Sequence, residues 1–157
     1  MMEMWADGVF GNRPLGRSVF DRKPHAATAK ALMINTAYRY SVEGNNSELT
    51  RFKQGWGMPD VGQLYESSKK MFIVNQETAL RENQAVEYEL KIPEGESELR
   101  VTLAYTDPLG TTASAKALVN DLDLIVIAPD GNRYYGNQGL LDGDVSRADG
   151  TPDRLNN

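Results

Sequence analysis

Two hydrophobic spacings divide this chain. In "KPHAATAKALMINTAYRY", Ala27, Ala31, Ile34 and Tyr38 recur at three- and four-residue steps, with Leu32 beside them. That period predicts a helix over 26–39, with Pro24 ahead of its first turn and alanines that allow close packing. "SVEGNNSELTRFK" is a polar loop. A Gly-Trp-Gly turn follows, and Asp60 is placed to cap a short helix through Val61, Leu64 and Tyr65. From Met71 the period becomes two. "MFIVN" reads as a short strand. Val86, Tyr88, Leu90 and Ile92 face one way and Glu87, Glu89 and Lys91 the other. Leu99, Val101, Leu103 and Tyr105 repeat the pattern, and residues 122–128 and "NRYYGN" supply two more strands around a Pro129-Asp130-Gly131 turn. Residues 1–23 show no lasting period and read as loop with a short apolar contact through Trp5, Val9, Phe10 and Phe20. The expected architecture is α+β: a helical part over 1–70, then an antiparallel part over 71–157. Strands with one polar face suit a sandwich, although five strands are few for a complete one.

Composition narrows the partners. A net charge of −5 argues against nucleic acid and against an anionic membrane surface, both of which need clustered Lys and Arg. No apolar run reaches membrane-spanning length, and the first residues lack the charged and apolar regions of a secretory signal. The absence of cysteine excludes thiol catalysis, disulfides and zinc–thiolate sites. His25 is the sole histidine, which leaves little for a triad or a zinc centre.

Candidate chemistry lies in the acceptors. "LVNDLDLIVIAPDGN" starts a strand with Asn120, Asp121 and Asp123, and Asp107 ends the strand before it. Such side chains either cap backbone N–H groups or collect around a hard cation such as Ca²⁺. Alternation puts Asp121 and Asp123 on one face and Asn120 on the other. "DGDVSRADGTPD" sets Asp142, Asp144 and Ser146 at alternate places, with Asp153 twelfth. This is a partial EF-hand pattern with Arg147 where the turn needs glycine, so a flexible acidic loop competes with a calcium loop. His25 reads as a surface residue at a helix start. Ser18, Ser41 and Ser114 lack the local sequence of a catalytic nucleophile. Trp56, Tyr65, Tyr88 and Tyr105 read as core or interface aromatics. Tyr134 and Tyr135 should split between the two faces, which leaves one able to touch a carbohydrate or a peptide.

Four segments in order, "KALMINTA", "QGWGMPDVGQLYE", "VTLAYTDPLG" and "LVNDLDLIVIAPDGNRYYGN", resemble the C-terminal region of subtilisin-like serine proteases that carry a jelly-roll β-sandwich after the catalytic domain. The resemblance spans about 24–157. It implies that 1–70 is the end of a catalytic domain, closed by Gly55, Trp56 and Gly57, and that 71–157 begins the sandwich, cut before its last strands. It also implies that the Asp, His, oxyanion Asn and Ser of the parent endopeptidase lie upstream, so that no residue here is catalytic. Structural calcium at Asp107, Asp121, Asp123, Asp142 or Asp144 fits the family, as does an extracellular or cell-envelope location. The rest of the parent protease is the implied partner, and self-association is the expected response of a segment left with open edges. The alternative is a stand-alone, non-enzymatic β-sandwich module that binds protein or carbohydrate.

Overall fold

The computed structural model describes residues 1–12, 19–20, 23–41, 50–75, 78–115 and 118–154. Four α-helices come first: α1 (Met2–Ala6), α2 (Ala26–Asn35), α3 (Arg51–Gln54) and α4 (Val61–Ser67), the last running into a 3₁₀ turn, Ser68–Lys70. Two short strands follow, β1 (Ile125–Ile127) and β2 (Arg133–Tyr135). The architecture is therefore helical first and antiparallel second, with a two-stranded ladder among the described residues.

The core is small and lies among the helices. Trp5, Phe10, Leu32 and Leu64 form it, with Met1, Met4, Met71 and Ile73 packed around them. The Trp5 and Phe10 rings sit 5.9 Å apart. Residues 2–6 thus form a helix where the sequence pattern reads loop, because Trp5 has a core to enter. Phe20, grouped with them from sequence, is exposed instead.

Helix α2 starts where expected, with His25 as N-cap, but stops four residues early. Thr36 donates its hydroxyl back to the Leu32 carbonyl, 3.0 Å away. Tyr38 then leaves the helix to exchange backbone hydrogen bonds with Met58, at 3.0 and 2.8 Å. A tertiary pairing here overrides local period. The buried stripe is also rotated: Ala27, Thr28, Leu32 and Thr36 are buried, while Ile34 is half-buried and Tyr38 exposed. The Thr28 hydroxyl hydrogen-bonds the Asn75 side chain at 2.8 Å and ties α2 to the next segment. Helix α4 follows the sequence closely. Asp60 accepts from the Gln63 N–H at 3.0 Å and caps its first turn.

The Gly-Trp-Gly turn has a steric cause. Gly57 has φ +100°, and a Cβ placed there would lie 2.3 Å from the Tyr38 carbonyl oxygen. Only glycine permits the backbone of 57–58 to close on that of 38. Gln54 fastens the same contact from outside, accepting from the Tyr40 N–H at 3.1 Å and donating to its carbonyl at 2.6 Å. Trp56 is not core; it is exposed, with the Arg51 guanidinium 4.5 Å above its ring. Tyr65 and Tyr88 are exposed as well.

In the β part, burial alternates as the sequence predicts over 71–74 and 121–128, while 85–92 are exposed throughout and Leu99, Val101 and Leu103 are exposed. Met71 and Ile73 point to the core while Phe72 and Val74 point out. Leu122, Leu124, Val126 and Ala128 are half-buried, and Asp121, Asp123, Ile125 and Ile127 exposed. The Pro129–Gly131 turn closes with the Ala128 N–H donating to the Asn132 carbonyl at 2.9 Å, and Gly131 supplies the positive φ of +88°. Beyond it the chain folds back, so that Ala148 bridges Tyr134 and the Asp149 N–H reaches the Arg133 carbonyl. Tyr134 and Tyr135 are both half-buried, so neither face of β2 leaves a tyrosine fully in solvent. By contrast, residues 85–92 and 98–106 have no ladder partner among the described residues. Among the described residues, β1 and β2 are the strands that pair. The consequence is visible in total surface: 12176 Å² is exposed, where a compact monomer of this mass exposes about 7900 Å².

Candidate functional site

The sequence-selected acceptors come from the end of one segment and the start of the next, and they fall into two groups. The first is a clamp. Asp107 Oδ2 accepts from the Val119 N–H at 2.7 Å, and Oδ1 accepts from both the Asn120 N–H and its Nδ2, each at 2.9 Å. Tyr105 completes it by donating its hydroxyl to the Asn120 carbonyl at 2.7 Å. One carboxylate thus takes three N–H groups across a loop of a dozen residues. Charge-assisted bonds, that from Val119 above all, hold the Asp107 carboxyl below its ordinary range. Burial pushes the Tyr105 phenol up; the Leu122 backbone opposes this, and Asp107, Asp121 and Asp123 add to it.

The second group is an ion pair. Asp121 and Asp123 share a strand face, as alternation requires, and that face meets Arg154. Its Nη1 lies 3.0 Å from Asp121 and 3.8 Å from Asp123. The Asp121 hydrogen bond and the Asp123 charge raise the guanidinium further above its usual value. Asp142 and Asp144 lie apart from this pair and from each other in their partners: Asp142 faces Arg147 at 3.4 Å, and Asp144 pairs with Arg39 near α2. Asn137 donates its side-chain amide to Asp153. Among the described residues no three His, Cys, Asp or Glu side chains come together as a metal site. Asp107 is committed to N–H donors, and arginines supply the positive charge to the other four.

His25 is exposed and caps α2 through its backbone, without a side-chain bond to a serine among the described residues. Ser18 lies outside the described residues; Ser41 and Ser114 are within them. The arrangement therefore clamps a loop and neutralises a strand face.

Two arginines with structural roles carry no signal in the pattern. Arg100 alternates with Leu99 and Val101 as an ordinary outward residue would. Its Nη1 instead reaches the Asn35 and Ala37 carbonyls, at 3.5 and 3.3 Å, and satisfies the end of α2. Asn35 returns the contact by donating to the Arg100 carbonyl and the Thr102 hydroxyl, each at 3.0 Å. Arg51 is lowered from its usual value by burial and by the nearby charges of Arg39 and Arg100, and the Trp56 ring face offsets part of that cost.

The clamp makes a pH prediction. Because the Asp107 carboxyl is depressed in the fold, its contribution is full above the ordinary value of 3.8 and is lost as pH falls through the lower folded value. Asp107→Asn should lower the melting temperature by a few degrees at neutral pH. The gap from the native chain should close as pH drops below that ordinary value, in melts followed by circular dichroism. A gap that stays constant with pH would show that the carboxylate charge is not what holds the loop.

The chain is 28% identical over 166 residues to a Dictyostelium discoideum protein named serine protease/ABC transporter B family protein tagA. The match covers 99% of this chain and 9% of that protein. No protein-family model matches the chain, and no solved structure matches it.

Proposed function

We propose that this chain is a non-catalytic part of a subtilisin-like serine endopeptidase, spanning the end of the catalytic domain (1–70) and the start of a jelly-roll sandwich (71–157). The similarity to a protein named as a serine protease, running over almost the whole chain, is the observation that carries the reading. The motif order supports it. So does the use made of Gly57, whose lack of a side chain lets the Gly-Trp-Gly turn close on the strand-like segment after α2. In the parent, peptide bonds would be cleaved by an Asp-His-Ser triad carried elsewhere. The residues here would brace the junction through Arg100, Asn35 and the Arg39–Asp144 pair. Faces left open on the β part would pack against the remainder of the parent. A stand-alone binding module would instead need a closed sheet, and only two three-residue strands pair among the described residues.

A fluorophosphonate probe tests this reading. The 157-residue chain should remain unlabelled and leave casein intact, while the full product of its reading frame should label at a serine outside these residues. Labelling of any serine within the chain would overturn the proposal.

A further inference from the structure

Residues 85–92 are the least satisfied part of the described backbone. They form no helix or ladder, and none of their N–H or C=O groups has a backbone partner among the described residues. The neighbouring segment is already engaged, since Asn35 donates to the Arg100 carbonyl and Thr102. The side chains add to the open edge. Val86, Tyr88, Leu90 and Ile92, each 41–48% exposed, alternate in sequence with Glu87, Glu89 and Lys91, and Tyr88 touches the Phe72 ring. An alternating, unpaired edge is a template for another strand.

The charge pattern specifies which strand. An antiparallel partner must oppose apolar with apolar side chains, which restricts self-pairing to registers centred on a residue rather than between two. A centre at Tyr88 sets Glu87 opposite Glu89 twice, and like charges so placed repel. A centre at Leu90 also matches charge, with Glu89 opposite Lys91 twice, but it brings Val86 opposite Glu94 and leaves three apolar pairs. With the centre at Glu89, Val86 meets Ile92 and Tyr88 meets Leu90, each twice by symmetry. The same register sets Glu87 opposite Lys91 twice, at the cost of one Glu89–Glu89 pair on the axis. Of these registers only the one at Glu89 pairs the whole apolar face, and it does so with two opposite-charge pairs. We infer that residues 85–93 pair antiparallel with the same segment of a second copy about a two-fold axis at Glu89. Such an isologous contact closes on itself and yields a dimer rather than a filament. The inference does not depend on the protease reading.

Charge reversal tests the register. Sedimentation equilibrium of the 157-residue chain over a concentration series should show monomer and dimer in exchange. Lys91→Glu, which turns both cross-strand pairs repulsive, should weaken the dimer by about tenfold or more. The double variant Glu87→Lys/Lys91→Glu should restore native affinity to within about threefold, because the pairs re-form with exchanged sign. Glu89→Gln should tighten the dimer by about threefold, since it removes the repulsion on the axis. The Leu90 register predicts the reverse for the last two variants. The chain has no cysteine of its own, so single replacements give a second readout. With a short thiol linker, Glu89→Cys should cross-link to itself. Glu87→Cys and Lys91→Cys should cross-link when mixed and not alone, as like positions would stand about 13 Å apart. A chain that stays monomeric at all concentrations, a dimer indifferent to Lys91→Glu, or a double variant without rescue would each overturn the inference.

Discussion

Gly57→Ala should destabilise the chain by about 2–4 kcal/mol, one of the larger effects open to a single methyl group. Two costs add at this position. An alanine at φ +100° is strained wherever it sits. In addition its Cβ would meet the Tyr38 carbonyl oxygen at 2.3 Å, and both partners are backbone, so neither can swing aside as a side-chain tip could. Relief requires breaking the Tyr38–Met58 exchange, the contact that ends α2 and sets the course of residues 37–40. Gly55 is the control. Its φ is also positive, at +58°, but a Cβ there meets nothing within 4 Å. Gly55→Ala should therefore cost only the conformational part, about 1–2 kcal/mol. Urea melts of the two variants against the native chain measure the difference. Equal losses would mean that the close approach at Tyr38 carries no weight.

How far the sequence could be read follows from what each signal encodes. Capping is local, so Asp60 announced α4 through a side chain three residues from its N–H partner. Period two is local as well, and residues 121–128 alternate in burial as written. Pairing is not local. Alternation in 85–93 and 98–106 states which side chains share a face but not what lies beside the backbone. Both segments stay unladdered among the described residues, in spite of patterns cleaner than those of β1 and β2. The early stop of α2 is likewise tertiary, because Met58 takes Tyr38 out of the helix. Helix α1 was missed for the opposite reason: five residues are too few to show a period, and Trp5 orders them by entering the core.

The candidate site was legible in part. Asn120, Asp121 and Asp123 at the head of a strand posed the choice between caps and cation. Asp107 and Asn120 form the cap, and the two remaining aspartates face a positive charge. That charge is Arg154, thirty-one residues after Asp123 in a Gly- and Asp-rich tail with no period, where nothing in the spacing could have signalled it. Arg100 is the same lesson in reverse. Its place in the strand pattern reads as solvent-facing, yet the end of α2 lies there and supplies carbonyls.

The widest spread in behaviour should separate the two unladdered segments from the rest of the chain. Amide exchange with solvent is slow only where hydrogen bonds must open. In this chain the N–H groups of 86–92 point at no backbone acceptor, whereas those of α2, α4 and β1 do. Hydrogen exchange followed residue by residue, at a concentration low enough to keep the chain monomeric, is therefore the most direct test of the open β part. Amides of 86–92 should exchange within about tenfold of the rate of an unstructured peptide, and those of Leu64, Leu32 and Val126 about a thousandfold more slowly. Protection across 86–92 equal to that of Leu64 in the monomer would mean that these strands are already paired, and would contradict the account.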